Sequence, residues 1–77
     1  MTIGFDLPAP QRARVEIFDP TGRRVRTLAG IQEFGTGEHA LLWEGHDDGG
    51  APVPGGIYLV RVQVGRDAAV KKVTVMR

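Results

Sequence analysis

The stretch WEGHDDGGAPVPGGIY, Trp43 to Tyr58, decides how this chain folds. It lies between two segments that alternate apolar and polar residues, a pattern with a period of two that is typical of β-strands. Residues 45–56 contain five glycines, two prolines and two aspartates. The prolines cannot donate to a regular ladder, and the connection is longer than a usual hairpin loop. The stretch therefore predicts a crossover between two sheets.

The same alternation runs through the rest of the chain and predicts strands without any competing helix. Ile3, Phe5 and Leu7 form one apolar face near the N-terminus, whereas the strand after Gly22 is shorter and less regular. The predicted strands lie near residues 2–7, 12–19, 23–29, 38–44, 57–65 and 69–76. Several short strands separated by Gly and Pro turns indicate a β-sandwich or a barrel.

The predicted core follows from the inward face of each strand. On the fourth strand Glu44 shares a face with Leu42, so the opposite face, with Leu41 and Trp43, is predicted to point inward. The residues expected to be buried are Phe5, Val15, Ile17, Leu41, Trp43, Tyr58, Val60, Val62 and Val73.

Composition narrows the classes of function. The 77 residues allow one small domain, expected over residues 1–77, that buries only about 60% of its unfolded surface. A net charge of +1 argues against electrostatic binding of nucleic acid. The chain has no cysteine, which excludes disulfides and thiolate zinc sites, and no serine to act as a nucleophile. No apolar run is long enough to predict a membrane span.

Two spaced motifs give the chain a family resemblance. The first is a D-x-x-G-R-x-V-x-x-L hairpin, in which Pro20 presets a type I turn that Asp19 can cap. The second is G-x-H-x-x-x-W-x-G-x-D-x-x-G-x-x-V-x-x-G-x-Y. The motif positions are Asp19, Gly22, Arg23, Val25, Leu28, Gly37, His39, Trp43, Gly45, Asp47, Gly50, Val53, Gly56 and Tyr58.

With GFDLP before them and KKVTVMR after them, these motifs resemble the FlgD Ig-like domain family over nearly the whole chain. The layout is also similar to the C-terminal sorting domain of type IX secretion cargo. The resemblance implies an all-β, immunoglobulin-like (fibronectin III-like) antiparallel β-sandwich of six to seven strands, without catalytic activity or a cofactor.

The resemblance also implies a role and a location. We expect the C-terminal module of a larger exported bacterial protein, at the cell surface or extracellular, that sorts, anchors or presents that protein. Its partner would be a protein: secretion machinery, or surface or appendage subunits. A structural domain of a flagellar hook-capping scaffold is the alternative, and a homodimer formed through an edge strand stays open.

Asp47 and Asp48, with Glu44 nearby, are weak candidates for a metal site, through Ca²⁺-binding carboxylates. The stronger expectation is that no metal binds and that Asp47 accepts hydrogen bonds from the backbone of its own turn. At least one of the glycines in the stretch should then have a positive φ. His39 and His46 lack a third ligand, and we expect the His39 ring to bond a turn.

Two further groups have a binding and a structural interpretation. Trp43 and Tyr58 could form a sugar-stacking platform of a carbohydrate-binding module, but a buried sandwich core is favoured, with one internal partner for the Trp43 N–H. The first hairpin is locally basic and could contact an acidic partner or phosphates, although a solvated strand face is favoured. Its arginines are Arg12, Arg14, Arg23, Arg24 and Arg26.

Overall fold

The computed structural model describes all residues, 1–77, and consists of six β-strands with no helix. This confirms the predicted all-β class. The strands are β1 Thr2–Leu7, β2 Gln11–Phe18, β3 Arg24–Phe34, β4 Gly37–Leu42, β5 Gly56–Val64 and β6 Asp67–Val75. Five of the six predicted strands agree with these bounds to within two residues at each end.

The strands form two antiparallel sheets that enclose one core. β1 pairs with β4, and the larger sheet has the order β3-β2-β5-β6. Since β4 lies in the small sheet and β5 in the large one, residues 43–55 carry the chain from one sheet to the other. The predicted crossover and the immunoglobulin-like β-sandwich are thus both confirmed.

The core is built from the inward positions of the alternating strands. Six of the nine residues predicted to be buried are buried: Val15, Ile17, Trp43, Tyr58, Val60 and Val62. The other three, Phe5, Leu41 and Val73, are only half-buried and pack against the core from its margin. The prediction was wrong there because β1, β4 and β6 are all edge strands, which lack a neighbour on one side to cover them.

Strand β3 departs most from prediction, because it continues to Phe34 instead of ending near residue 29. Eleven residues of β3 face eight of β2, and the register shifts at three places, so β3 contains three extra residues as β-bulges. Each bulge interrupts the period of two. Consequently the buried residues of β3 are Val25, Ala29 and Phe34, at spacings that alternation could not reveal.

Both free edges of the larger sheet carry features that discourage pairing with another strand. On β6, Lys71 lies opposite the fully buried Val60, so it projects from the inner face, and its ammonium donates to the Gly4 carbonyl of β1 at 3.0 Å. On β3 the three bulges twist the edge. An inward-pointing charge and bulges are two devices by which natural sheets avoid edge-to-edge association.

Candidate functional site at the crossover loop

The two sequence motifs meet in one cleft of about 490 Å³ between the β2–β3 turn and the crossover. Asp19 and Arg23 line it from the turn, Asp47 and Pro54 line it from the crossover, and Tyr58 lines it from the start of β5. With Val25 and Val53, which also line the cleft, the fold brings together six motif residues from both motifs. His39 and Gly37 lie elsewhere, at the start of β4.

The Asp19 carboxylate organises the turn at one side of the cleft. Its Oδ1 accepts hydrogen bonds from the Thr21 and Arg23 backbone N–H groups, both at 3.0 Å, and from the Thr21 hydroxyl at 2.6 Å. Gly22 adopts a φ of 92°, a left-handed conformation that closes the turn. The Arg23 guanidinium lies 3.8 Å from Oδ2 but is largely exposed, so this ion pair contributes little.

This arrangement lowers the pKa of the Asp19 carboxyl below its ordinary value of 3.8. The main cause is the hydrogen bond from the Thr21 side chain; desolvation opposes it, and the backbone N–H groups and the Arg23 charge add to the lowering. Hydrogen bonds to the ionised form favour that form. The carboxylate is therefore a structural acceptor and is poorly suited to donate a proton in catalysis.

The Asp47 carboxylate likewise accepts backbone hydrogen bonds within its own turn, in the crossover loop. Its Oδ1 accepts hydrogen bonds from the backbone N–H groups of Gly49 at 3.0 Å and Ala51 at 2.9 Å. The Gly50 N–H donates to the Asp47 carbonyl, and Gly50 has a φ of 87°. Gly56 also has a positive φ, 149°. These contacts confirm the predicted self-bonded turn and its left-handed glycine.

Asp48, by contrast, attaches the loop to strand β3. Its Oδ1 accepts from the Thr27 N–H at 2.9 Å, and its own N–H donates to the Val25 carbonyl at 3.0 Å. Arg26 adds a bond from its guanidinium to the Asp47 carbonyl at 2.9 Å. The loop thereby occupies part of the free edge of β3. No local pattern indicates this contact, since the partners are 21 residues apart in sequence.

The candidate metal ligands are thus used in hydrogen bonds of the loop. One carboxylate oxygen of Asp47 and one of Asp48 accept backbone N–H groups. No group of three or more His, Cys, Asp or Glu side chains lies together in a way that could hold an ion. A Ca²⁺ ion takes six to eight oxygen ligands, more than these two side chains offer.

The two large aromatic rings of the second motif are buried. Trp43 is only 2% exposed and Tyr58 only 6%, and their rings meet edge to face at 5.5 Å. Trp43 Nε1 donates to the His46 carbonyl at 2.9 Å, and the Tyr58 hydroxyl donates to the Pro54 carbonyl at 2.6 Å. Both rings therefore fix the crossover to the core. Neither exposes a face on which a sugar could stack.

His39 is part of an aromatic cluster at the other end of the sandwich. Its Nε2 lies 2.7 Å from the Gly35 carbonyl, as predicted for a histidine that bonds a turn. Its ring stacks on Phe5 at 5.3 Å and meets Phe34 edge to face at 5.0 Å. The ring is thus held in place by packing and by one hydrogen bond, with no second histidine nearby.

The arginines of the first hairpin do not form one continuous basic surface. Arg26 turns towards the crossover, whereas Arg24 on the opposite face approaches Glu16 at 3.6 Å. Glu16 is only 6% exposed and also lies 4.0 Å from Arg61 of β5. The alternation of β2 did not predict this buried carboxylate, whose one signal is a lone acidic residue between apolar neighbours.

Gly45 is required where the crossover begins. It is buried and has a φ of 78°, and its carbonyl accepts a hydrogen bond from the Arg77 guanidinium at 2.7 Å. A Cβ at this position would lie 2.6 Å from the same guanidinium nitrogen. The absence of a side chain at Gly45 therefore leaves room for the Arg77 guanidinium to bind the backbone of the loop.

None of these side chains forms a catalytic constellation: the carboxylates cap turns, and the aromatic rings are buried. No helix of the molecule could cross a membrane. In comparisons with known proteins, the FlgD Ig-like domain family matches residues 1–68. Searches of curated proteins and of solved structures found no match.

Proposed function

This chain belongs to the FlgD Ig-like domain family, and we propose that it is an accessory module that sorts, anchors or presents an exported bacterial protein. The family consists of non-enzymatic structural modules of exported flagellar components. In the proposal the folded sandwich is recognised by another protein, either secretion machinery or a surface subunit. The module then acts at the cell surface or outside the cell.

One observation carries this proposal: four motif residues use their polar side-chain atoms in hydrogen bonds to the backbone of the domain itself. Asp19 and Asp47 cap their own turns, and Trp43 and Tyr58 have buried rings with bonded heteroatoms. A binding or catalytic site normally leaves polar groups that converge on an empty pocket. Here the motif specifies a scaffold, so recognition falls to the outer surface of the sandwich.

A structural domain in a hook-capping scaffold is the second candidate, and the family match itself favours it. Such a domain would pack against neighbouring subunits of an appendage. Both candidates require a protein partner, and they differ in whether that partner transports the module or assembles with it.

The larger sheet offers poor edges for strand addition or for a homodimer. Lys71 points inward on β6, and Asp48 already bonds the edge of β3 at Thr27. A strand that paired with β6 would have to bury the Lys71 ammonium, and one that paired with β3 would have to displace the Asp48 carboxylate from Thr27. Both changes are unfavourable. Contact through a sheet face therefore agrees better with the structure than edge pairing.

The test is to fuse the domain to the C-terminus of a folded reporter enzyme. The fusion is expressed in a bacterium with type IX secretion and in a flagellated bacterium, and the reporter is assayed in cell, surface, medium and purified-hook fractions. A sorting or anchoring module should bring the reporter to the surface or the medium in the first host. A scaffold domain should instead place it in the hook fraction of the second.

The controls are the bare reporter and a fusion carrying Trp43→Ala, which removes the buried ring and should strongly destabilise the domain. If the intact fusion stays in the cytoplasm of both hosts, as the bare reporter does, the proposal is wrong. Equal export of the Trp43→Ala fusion would also contradict it, because recognition would then not require the folded sandwich.

A further inference from the structure

The outer face of the larger sheet, which points away from β1 and β4, carries two neighbouring cross-strand rows. The register places Arg24, Phe18, Leu59 and Lys72 in one row across all four strands. The next row includes Arg61 of β5 and Val70 of β6. We call these six residues the outer patch.

The first row has an apolar centre between two cations. Phe18 and Leu59 in the middle are half-buried, whereas Arg24 and Lys72 at the ends are exposed. Three strand spacings of about 4.8 Å separate the two ends, or about 14 Å in all. In the second row Val70 leaves 58% of its surface exposed. The patch thus presents apolar side chains between positive charges.

The one acidic residue at the centre of these rows is already neutralised. Glu16 lies beside Arg61 in the second row, and its buried carboxylate approaches both Arg61 and Arg24. Arg61 is also held by a bond to the Gln63 side chain at 2.6 Å, and its guanidinium lies 5.8 Å from the centre of the Phe18 ring. The patch holds three cations in all against this one carboxylate, which contacts two of them, and it therefore keeps an excess of positive charge.

We propose that the outer patch binds an acidic, amphipathic segment of a partner protein. Apolar residues of that segment cover Leu59 and Val70, and its carboxylates meet Arg24 and Lys72. The inference rests on the protein-binding role proposed above and adds the surface and the chemistry of the partner. Charge complementarity of this kind directs a partner and fixes its orientation.

Other occupants fit the patch less well. A second copy that docked the same face would bring its own cations against Arg24 and Lys72. A nucleic acid would leave Leu59 and Val70 against charged phosphates, with few cations for electrostatic affinity. The outer patch is also small: its two rows are about 14 Å long and lie about 7 Å apart, roughly 100 Å² between the Cα positions, far below the roughly 800 Å² per partner of a standard interface. Binding should therefore be weak.

The test is an NMR titration of the ¹⁵N-labelled domain with a designed helical peptide. A helix of about 14 residues is about 21 Å long and can cover the whole row of about 14 Å, so the probe is a peptide of that length with a Leu face flanked by Glu. Its matched twin has Lys in place of Glu, and a polyglutamate of equal charge lacks the apolar face. At about 50 mM salt, where screening is modest, the Glu peptide should shift amide signals of β5 and β6 around the outer patch.

Two substitutions distinguish specific binding at the outer patch from non-specific binding to the rest of the surface. Val70→Glu places a negative charge in the patch that repels the glutamates of the peptide. It should weaken binding of the Glu peptide about tenfold or more. Leu42→Glu is the matched control, because Leu42 is 64% exposed on β4, away from the patch, and it should leave binding unchanged. The dispersed spectrum of each variant shows that it is folded.

Several results would overturn the inference: equal binding of the Lys twin or of polyglutamate, equal effects of the two substitutions, or shifts confined to the small sheet. Tighter binding of single-stranded DNA or of phosphatidylglycerol vesicles would assign the patch to those ligands instead. Export of the reporter fusion is scored separately. An exported fusion with no peptide binding refutes only the patch, whereas peptide binding without export refutes only the sorting role.

Discussion

Replacing Asp47 by Ala removes the side chain that closes the crossover loop. The two hydrogen bonds to its Oδ1, at 3.0 and 2.9 Å, are lost, and the N–H groups of Gly49 and Ala51 lose their acceptor. Both N–H groups lie in an exposed turn, so water replaces part of the loss. By analogy with side-chain caps, unfolding free energy should fall by about 0.5–2 kcal/mol. For a domain of this size each kcal/mol corresponds to about 4–8 °C in Tm.

The assay is thermal unfolding followed by circular dichroism, in EDTA and in millimolar Ca²⁺. If Asp47 is a structural acceptor, the loss should be the same in both. Asp47→Asn is the matched variant, because its amide oxygen can accept the same two bonds without a charge, so it should retain most of the stability. Glu44→Ala controls for the removal of a nearby exposed carboxylate.

The reasoning would be refuted by a rise of several degrees in the Tm of the wild type on adding Ca²⁺ that is absent from the Asp47→Ala variant. The loop would then be a metal site. It would also be refuted if Asp47→Ala and Glu44→Ala had equally small effects, since the two hydrogen bonds would then contribute nothing measurable.

Three other perturbations test the core, the first turn and the sheet edge. Trp43→Ala should reduce the free energy of unfolding by about 3–5 kcal/mol in urea denaturation, because the ring is 2% exposed; a Tm within a few degrees of wild type would contradict its place in the core. Because folding lowers the pKa of Asp19, its carboxylate stabilises the fold fully above the unfolded-state pKa of 3.8. This stabilisation is lost as the pH falls through the folded-state pKa. Wild type should therefore lose more stability than Asp19→Asn on acidification below about pH 4, and parallel losses would show that the carboxylate has no such role. Lys71→Val should cause concentration-dependent self-association in analytical ultracentrifugation, whereas Lys72→Val, on the opposite face of β6, should cause less; equal association would rule out edge protection by Lys71.

Much of this fold could be predicted from the sequence, because its signals are local. Alternation marks strands wherever consecutive side chains face opposite sides, and β5 follows this rule closely. The turn residues act within four positions of themselves: Asp19 and Asp47 each cap a turn that begins at their own position. Prolines and length likewise predict a crossover over residues 45–56 before any pairing is known.

Tertiary structure alone decided the features that depend on distant partners. The bulges of β3 are set by the fit of eleven residues against eight of β2, so Val25, Ala29 and Phe34 became buried without a regular spacing. Glu16 is buried because Arg24 and Arg61 meet it from two neighbouring strands, one on each side.

The candidate site divides in the same way. The motifs predicted that Asp19, Asp47 and Tyr58 matter, and each forms a bond within four residues of itself. That these residues line one cleft follows only from the pairing of β2 with β5, and the contact of Asp48 with Thr27 follows from where the loop meets β3. The physical reason is the sequence separation of the interacting residues. Backbone conformation and capping depend on residues a few positions apart, whereas a shared cleft or surface depends on which strands pair.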